Sequence, residues 1–495
     1  MNYRIVAKYL GQFAAATGAL MLLPAAWAVY FGEWNALMAL MQSVALTGLF
    51  GGVLYFVGRT SKAPMYQRES LALVGLSWLV IAGIGALPYL LSGVLGPIDA
   101  YFESMSGFTT TGASVLTNIE AVDKSILFWR SFTHWVGGMG IILLFIAVLP
   151  YLGAGGKQLF KSETPGPDPH GFYPRVKDTA SMLYKIYLAL TAAQTALLMA
   201  AGMGFYEALC HTFGTIATGG FSTRNASIAA FDSIAVELII IIFMSLAGVN
   251  FVLYFAMIRG DWRMPLRNTE CRVYYALLAA ATLLVTLNLL TAGPSLPAMA
   301  DAEHAPSYGP LHALRVAAFQ SVAIMTTTGY CTANFDVWPE FSRMLLLALM
   351  FIGGCAGSTG GGMKVVRVIA LCKMGYYRLE RTFRPRTIRV LRINDNVIDD
   401  EIQRSILIFF FLYLFIFAAG SVFMAFIGLP FQTAVSAVAA TLNNIGPGLE
   451  RVGAVENYAF IPPTGKIVLS LFMVMGRLEL LTICVMFVPA FWKHG

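Results

Sequence analysis

Four short glycine-centred segments, three of them with threonine directly before the glycine, carry the residue types best suited to binding chemistry. We call them the turn segments, and they are Phe108-Thr-Thr-Thr-Gly112-Ala-Ser, Ile216-Ala-Thr-Gly219-Gly-Phe, Met325-Thr-Thr-Thr-Gly329-Tyr and Leu442-Asn-Asn-Ile-Gly446-Pro-Gly. Their matched glycines are 107, 110 and 117 residues apart (112 to 219, 219 to 329, 329 to 446). Such near-equal spacing indicates four copies of one structural unit.

These residue types suit the binding of a dehydrated cation. Glycine permits backbone angles that turn successive carbonyls toward one axis. A ring of carbonyls can replace the hydration shell of potassium, and threonine hydroxyls can add a further layer of oxygen. Taken alone, any one segment is better explained as a helix-packing motif of small residues. Four segments at matched spacing favour a cation filter.

Each turn segment follows an apolar stretch that is too short to cross a membrane. These stretches are residues 98–108, 206–213, 311–323 and 431–442. Pro97, Pro310 and Pro430 lie at or beside three of their starts, where a helix tolerates proline. We therefore predict short helices whose negative dipole ends face the turn segments, an arrangement that favours a cation.

Composition and apolar runs place these elements in a membrane. The 495 residues are 58% hydrophobic and 12% charged, with a mean hydropathy of +0.70, whereas soluble domains carry about 25% charged residues. Apolar runs near the length of roughly 20 residues that a spanning helix needs occupy 12–31, 36–57, 71–95, 126–152, 182–203, 235–257 and 405–427. The first run resembles a cleavable signal, but it is longer than a signal core and 36–57 follows at once. We expect an uncleaved helical hairpin.

The basic residues cluster between the repeated units. The clusters are Arg4/Lys8, Arg59/Lys62/Arg68, Lys157/Lys161/Arg175/Lys177, Arg259/Arg263/Arg267/Arg272 and the stretch 373–392. Each cluster abuts an apolar span, so membrane topology explains them better than binding to nucleic acid does. The positive-inside rule makes every linker between units cytoplasmic, together with both termini.

The predicted fold is an all-α polytopic membrane protein. Four pseudo-symmetric helix–pore loop–helix units surround one central pore, and an N-terminal two-helix hairpin precedes them. In each unit the chain crosses outward, dips back and crosses inward. The predicted boundaries are 1–60 for the hairpin and 66–155, 178–260, 271–376 and 400–495 for the four units.

A glycine-rich loop interrupts the second spanning run of the third unit. Six of the ten residues in 353–362 are glycines, namely Gly353, Gly354, Gly357, Gly360, Gly361 and Gly362. Each glycine costs a helix about 1 kcal/mol relative to alanine, so we predict a broken helix. Within a membrane such a break must line a cavity or pack against protein. The alternative is a tight glycine packing face.

Arg477 lies about ten residues inside the apolar run 467–491. A charge at membrane depth is costly and is usually functional. Glu479 follows two residues later, on another face of the helix, and is a poor partner within it. The alternative is a structural arginine that pairs with another helix.

Other residue types give no sign of an enzyme or of a metal centre. The six cysteines are scattered without a paired spacing, which predicts neither a disulfide framework nor a metal site. His134 and His211 belong to no Ser/His/Asp or metal-ligand motif, and His134 is interpreted as a packing residue. The glycine-rich loop lacks the Lys-Ser/Thr ending of a phosphate-binding loop.

Together, the turn segments, the glycine-rich loop and Arg477 resemble the TrkH branch of the Trk/Ktr/HKT superfamily of potassium transporters. The resemblance covers nearly the whole chain and implies potassium uptake across the bacterial inner membrane. It implies that K⁺, the transported ion, binds backbone carbonyls of Thr110, Thr111, Gly112, Ala217, Thr218, Gly219, Thr327, Thr328, Gly329, Asn444, Ile445 and Gly446. Glycine at position 112 goes with potassium selectivity in this superfamily. The fourth segment departs from the threonine pattern, so fewer ion sites are expected than in a symmetric channel.

The same resemblance implies a control mechanism below the turn segments. The glycine-rich loop would obstruct the pore, and the charge of Arg477 would oppose cations until it is moved or shielded. The resemblance also implies a homodimer and a TrkA-like cytosolic ring that binds nucleotides. The basic stretch 373–392 is a candidate docking surface for this ring, with contact to anionic lipid as the alternative.

A second functional class stays open at this stage. Broken helices also occur in secondary transporters, so a proton- or sodium-coupled cation transporter with alternating access is the alternative. The sequence does not separate a channel from a coupled symporter, and it does not identify the controlling nucleotide.

Overall fold

The computed structural model describes residues 1–61, 65–152, 176–292, 309–387, 389–394, 396–478 and 480–492. The basic residues Lys62, Lys157, Lys161 and Arg175, together with Glu479, lie outside the described residues. Within the described ranges the regular secondary structure is helical apart from one small hairpin of two-residue strands, β1 (Arg392–Ile393) and β2 (Asn396–Val397). The predicted all-α class is therefore confirmed.

The α-helices follow one another in a repeating order. The N-terminal hairpin contains α1 (Tyr3–Leu20), α2 (Leu22–Phe31) and α3 (Trp34–Gly58). The next helices are α4 (Gln67–Gly85), α5 (Leu87–Leu91), α6 (Pro97–Phe108) and α7 (Lys124–Leu152), followed by α8 (Val176–Ala200), α9 (Phe205–Ile216), α10 (Ile234–Ala247), α11 (Phe251–Ile258) and α12 (Met264–Arg267). Then come α13 (Thr269–Ala292), α14 (Pro310–Met325), α15 (Glu340–Met350) and α16 (Val365–Phe383), and finally α17 (Asp400–Phe426), α18 (Phe431–Leu442), α19 (Pro463–Leu478), α20 (Leu480–Cys484) and α21 (Pro489–Trp492).

The predicted N-terminal hairpin is present and is packed through small residues. A Cβ atom at Gly11 in α1 would lie 2.6 Å from the carbonyl oxygen of Gly51 in α3, so the two backbones touch. Small residues allow this close approach between membrane helices. Glu33, between α2 and α3, accepts hydrogen bonds from the amides of Lys124 and Ser125 at 2.8 and 2.9 Å. The hairpin is thereby attached to the first turn of α7.

The long helices are suited to a membrane. Six helical spans within the described residues are long and apolar enough to cross one, and a bent pair makes a seventh. Their exposed surfaces carry large apolar side chains, such as Leu49 and Phe56 on α3 and Phe415 and Val422 on α17. Lipid is the solvent that such surfaces suit. The chain is a multi-pass membrane protein.

One of the apolar runs is sharply bent. The run 235–257 is long enough for a single straight helix. Instead, α10 ends at Ala247, α11 begins at Phe251, and the two helices meet at 93°. The physical reason is that the backbone groups at the bend pair with the glycine-rich loop of the third unit, as described below.

The four predicted short helices are confirmed as α6, α9, α14 and α18. Pro97 and Pro310 occupy the first turns of α6 and α14, and Pro430 is the N-cap residue of α18. The last turns of all four helices are fully buried. The centre of the molecule therefore contains the C-terminal ends of the short helices, where the turn segments begin.

Candidate cation filter and the glycine-rich loop

Each short helix is followed by the same unusual backbone conformation. The second residue after the helix has a positive φ in all four cases, with 53° at Thr110, 54° at Thr218, 60° at Thr327 and 55° at Asn444. Two residues later comes a glycine with positive φ, with 81° at Gly112, 81° at Gly220, 76° at Gly329 and 98° at Gly446. Residues other than glycine seldom adopt the left-handed region. Four repetitions show that the turn segments are structurally equivalent.

The equivalence corrects the register predicted for the second turn segment. Gly220, rather than Gly219, occupies the position of Gly112, Gly329 and Gly446. The equivalent residues of this segment are therefore Thr218, Gly219 and Gly220, and Ala217 is the C-cap residue of α9. The second segment contains two adjacent glycines, so either of them could match the glycines of the other segments in the sequence. The residue at which α9 ends decides the match.

Hydrogen bonds back to the short helices fix this register independently. The amide of the residue before each positive-φ glycine donates to a carbonyl five residues earlier. The donor–acceptor pairs are Thr111 to Ser106 at 2.9 Å, Gly219 to Gly214 at 2.7 Å, Thr328 to Ala323 at 2.9 Å and Ile445 to Ala440 at 2.8 Å.

The four turn segments contact one another in a closed cycle. A Cβ atom at Gly112 would overlap the carbonyl oxygen of Gly219, one at Gly220 would overlap that of Thr328, and one at Gly329 would overlap that of Ile445. A Cβ atom at Gly446 would lie 2.7 Å from the carbonyl oxygen of Thr111, which returns to the first segment. Only glycine fits at these four positions, because any side chain would separate neighbouring segments.

A cavity of about 80 Å³ lies at one end of this cycle. All four equivalent glycines, Gly112, Gly220, Gly329 and Gly446, line it. Its wall also includes Arg130, Arg224, Glu456 and Tyr458. The cavity therefore opens directly onto the ring of glycines.

Side-chain oxygens gather at the opposite end of the turn segments. Among the described residues, Thr110 Oγ1 and Asn444 Oδ1 are buried and have no protein hydrogen-bond partner. The Asn444 amide nitrogen donates to the Thr111 hydroxyl at 2.9 Å and to the Met473 carbonyl at 2.8 Å. Thr327 Oγ1 accepts a 2.7 Å hydrogen bond from the amide of Gly361. The glycine-rich loop thus touches the turn segments directly.

The glycine-rich loop is not helical, as predicted. It occupies the interval between α15 and α16 and contains Gly353, Gly354, Gly357, Gly360, Gly361 and Gly362. The amide of Cys355 donates to the Gly248 carbonyl at 2.8 Å, and the amide of Phe251 donates to the Gly357 carbonyl at 3.1 Å. These two bonds satisfy backbone groups at the bend between α10 and α11. The loop and the bend therefore form one irregular layer, which is tolerated at membrane depth because protein surrounds it.

Glu270, near the start of α13, joins the glycine-rich loop to the start of α16 and was missed by the sequence analysis. One carboxylate oxygen of this buried residue accepts hydrogen bonds from the amides of Ala356 at 2.8 Å and Val366 at 3.0 Å. Val366 belongs to the first turn of α16, whose amides have no helical partner. A glutamate at the start of an apolar run was the signal available in the sequence.

Arg477 lies beside the glycine-rich loop and is half-buried. Its guanidinium donates hydrogen bonds to the carbonyl of Thr359 at 2.6 Å, of Gly137 at 2.8 Å and of Gly138 at 3.0 Å. Gly137 packs against the last residue of α6, since a Cβ atom there would overlap the carbonyl of Phe108. The charge is therefore close to the ends of the short helices, and these three contacts are all to backbone carbonyls.

A buried ion pair behind the turn segments is a second feature that the sequence analysis missed. Arg130 Nε in α7 lies 2.6 Å from Glu103 Oε1 in α6, and both side chains are at most 2% exposed. Glu103 also accepts hydrogen bonds from the Val115 amide at 2.8 Å and the Ser114 hydroxyl at 2.9 Å. Arg130 donates to the Ser222 carbonyl at 2.9 Å. The pair thereby joins the first and second segments just beyond their glycines.

His134 and His211, the two histidines discussed in the sequence analysis, both form hydrogen bonds within the protein interior. His134 Nε2 accepts from the Phe221 amide at 3.1 Å, while its Nδ1 lies 2.8 Å from the Gly107 carbonyl. His211 Nε2 lies 2.9 Å from the Ser222 hydroxyl. Within the described part of the chain, no group of three His, Cys, Asp or Glu side chains is placed to hold a metal ion.

A family model named TrkH and described as a cation transport protein matches residues 36–494. The chain belongs to the TrkH family. The Trk system potassium uptake protein TrkH of Escherichia coli (strain K12) is 36% identical over 498 residues and covers 100% of both chains. The Trk system potassium uptake protein TrkG of the same strain is 30% identical over 497 residues, which is 99% of each.

A solved member of the TrkH family has the same fold. The crystal structure of the potassium transporter TrkH from Vibrio parahaemolyticus matches with a TM-score of 0.86 at 34% sequence identity, and the match covers 100% of both chains. The expected resemblance is therefore confirmed at the level of family and fold, over the whole described architecture.

Proposed function

We propose that this TrkH-family chain takes up potassium across the bacterial inner membrane through a gated, potassium-selective pore. The closed cycle of four equivalent turn segments carries the proposal. A ring of backbone carbonyls at membrane depth is the arrangement that replaces the hydration shell of potassium. The relatives named as potassium uptake proteins support the same ion.

The proposed ion ligands are backbone carbonyls of the equivalent residues. They are Thr110, Thr111 and Gly112, then Thr218, Gly219 and Gly220, then Thr327, Thr328 and Gly329, and finally Asn444, Ile445 and Gly446. Ala217, expected as a ligand from the resemblance, precedes this set by one position. The short helices direct the negative ends of their dipoles at these residues, which favours a cation over an anion.

The glycine-rich loop and Arg477 form the proposed gate. The amide of Gly361 donates to Thr327 Oγ1, so the loop occupies the space directly beneath the third turn segment. The guanidinium of Arg477 is held between the loop and α7. A fixed positive charge in this position raises the energy of a passing cation. In the open state the loop and the charge would both move away from the ion path.

A TrkA-like cytosolic ring that binds nucleotides is the proposed regulator, and a homodimer is the proposed assembly. The exposed basic end of α16, with Arg378 and Arg381, is the proposed docking surface. Both chain termini would then be cytoplasmic, since α16 and the N-terminal residues Arg4 and Lys8 carry basic clusters and the fourth unit returns the chain to the side on which it started.

Charge reversal tests this docking. Arg378→Glu with Arg381→Glu is expected to abolish co-purification of the ring at moderate salt. Arg267→Glu, an exposed reversal on another basic linker, serves as the matched control. If the reversed chain still binds the ring but loses binding to vesicles of anionic lipid, the surface contacts lipid and the docking proposal is wrong.

Coupled transport is the second candidate function. The 93° bend between α10 and α11, together with the glycine-rich loop, gives two adjacent spans irregular backbone at the same depth. Secondary transporters with alternating access use discontinuous helices in this way.

Ion flux in liposomes separates the two candidates. The purified chain is reconstituted, and currents of K⁺, Rb⁺, Na⁺ and Li⁺ are recorded with and without a pH gradient. A pore gives currents that reverse at the potassium equilibrium potential whatever the pH gradient. A reversal potential that shifts with the proton or sodium gradient supports coupled transport instead. No potassium flux above that of empty liposomes, both in wild type and in Arg477→Ala, which lacks the charge of the proposed gate, overturns both candidates.

A further inference from the structure

The four equivalent glycines differ in what binds their carbonyl oxygens. The carbonyl of Gly446 accepts a 2.7 Å hydrogen bond from the hydroxyl of Tyr458. The carbonyl of Gly329 has only a weak thiol contact, 3.7 Å from Cys331 Sγ. Among the described residues, no hydrogen bond is formed to the carbonyls of Gly112 and Gly220. One of the four oxygens at the ring of glycines is therefore restrained by an O–H donor.

Tyr458 is held rigidly between the fourth and first units. Its amide donates to the Ser114 carbonyl at 2.8 Å, just beyond the first turn segment. Its ring centroid lies 5.6 Å from that of Phe102 in α6, and the residue is 2% exposed. A hydroxyl fixed in this way holds the Gly446 carbonyl in one direction. The tyrosine also lines the glycine-lined cavity, next to the oxygen it binds.

The sequence shows how the fourth segment differs from the second just after the glycine. Pro447 follows Gly446, whereas Phe221 follows Gly220. The amide of Phe221 donates to His134 Nε2 at 3.1 Å and thereby anchors the second segment just after its glycine. Proline has no amide hydrogen and cannot make an equivalent bond. Tyr458 supplies a hydrogen bond at the carbonyl instead.

We infer that Tyr458 determines ion selectivity by binding the carbonyl of Gly446. The outermost ion position then has three carbonyls without an O–H donor, from Gly112, Gly220 and Gly329, and a fourth that the Tyr458 hydroxyl holds in place. A carbonyl engaged by a hydroxyl cannot bend inward to close around an ion smaller than potassium. The field and freedom of the coordinating carbonyls set the discrimination between potassium and sodium. The inference rests on the proposed function of the turn segments as a potassium filter.

Tyr458→Phe tests the inference, because it removes the hydroxyl and keeps both the ring and the amide bond to Ser114. In reconstituted liposomes the variant is expected to conduct potassium while its ratio of sodium to potassium flux rises about fivefold, the size expected for one neutral hydrogen bond. Tyr206→Phe is the matched control. It also removes a 2.7 Å hydrogen bond from a tyrosine hydroxyl to a backbone carbonyl, that of Lys124, away from the cavity.

A conducting Tyr458→Phe protein with the flux ratio of wild type overturns the inference and leaves the proposed function intact. Absence of potassium flux in wild type and also in Arg477→Ala, which lacks the charge of the proposed gate, overturns the proposed function itself. Should Tyr458→Phe fail to fold, Tyr458→3-fluorotyrosine keeps the hydroxyl and makes it a stronger donor. The ratio of sodium to potassium flux is then expected to fall below that of wild type, and an unchanged ratio contradicts the inference.

Discussion

The guanidinium of Arg477 donates a 2.6 Å hydrogen bond to the backbone carbonyl of Thr359, in the middle of the glycine-rich loop. Its second terminal nitrogen reaches the carbonyls of Gly137 and Gly138 in α7. Because one side chain bridges the loop and α7, displacement of the loop must also release or carry the positive charge. The two parts of the proposed gate are therefore mechanically connected.

Arg477→Ala is expected to raise potassium flux by at least about tenfold, because a unit charge near the ion path contributes a barrier of a few kcal/mol at protein-like dielectric. Flux of ⁸⁶Rb⁺ into liposomes measures this change. Arg477→Lys keeps the charge and loses the forked contacts to three carbonyls. It should therefore raise flux less than alanine does. Equal flux in wild type and Arg477→Ala would exclude the barrier role.

Gly220→Ala is expected to lower potassium flux by at least about tenfold, because its left-handed conformation costs a side chain about 1–2 kcal/mol and the new Cβ would overlap the Thr328 carbonyl. The effect should match that of Gly112→Ala. Gly48→Ala in α3, where a Cβ atom meets nothing within 4 Å, is the control. Normal flux and selectivity in Gly220→Ala would contradict the register found in the second turn segment.

The sequence predicted the short helices well because their signals are local. An apolar stretch, a proline at or beside the start and a glycine-centred turn at the end define α6, α14 and α18, and the structure starts each of them within one residue of the prediction. The repeat of the turn segments was also predicted, because its sequence signal is local. The register of the second turn segment has no local signal, since it depends on where α9 ends.

Contacts between distant segments account for what the sequence analysis missed. The bend after Ala247 forms because Gly248 and Phe251 pair with backbone groups about a hundred residues away in the glycine-rich loop. The run 235–257 has the composition of an ordinary spanning helix, so nothing within it revealed the break. Glu103 and Glu270 were visible only as acids near apolar runs, and their partners Arg130 and Ala356 became apparent in the fold.

Breaking the buried pair of Glu103 and Arg130 is expected to be strongly destabilising. Glu103→Gln leaves the arginine charge buried and uncompensated, which costs about 3–5 kcal/mol. Thermal unfolding in detergent should show a clear fall in melting temperature. The double variant Glu103→Leu/Arg130→Met should recover most of the lost stability, because it removes both charges.

Selectivity should not recover in that double variant. The Val115 amide and the Ser222 carbonyl would still lack their partners, so the first and second segments would be joined less firmly. The ratio of sodium to potassium flux in liposomes measures this. A double variant with both the stability and the selectivity of wild type would show that the pair has no positioning role.

Glu270→Ala is expected to raise basal potassium flux at least about tenfold, because each hydrogen bond to a charged group contributes about 1.5–3 kcal/mol. Removing the carboxylate releases the amide of Ala356 in the glycine-rich loop and that of Val366 in the first turn of α16. The loop would then leave its position beneath Thr327 more often. Flux in the absence of any cytosolic partner measures this release.

Glu270→Gln separates hydrogen bonding from charge at this position. One oxygen of Glu270 accepts both bonds, and a glutamine carbonyl oxygen can accept the same two. Flux close to wild type is therefore expected in Glu270→Gln. Glu401→Ala is the matched control, since Glu401 is an exposed glutamate in the first turn of α17, the corresponding helix of the fourth unit. If Glu270→Ala conducts no more than Glu401→Ala, the loop is held in place without Glu270, and the carboxylate contributes only to the packing of α13.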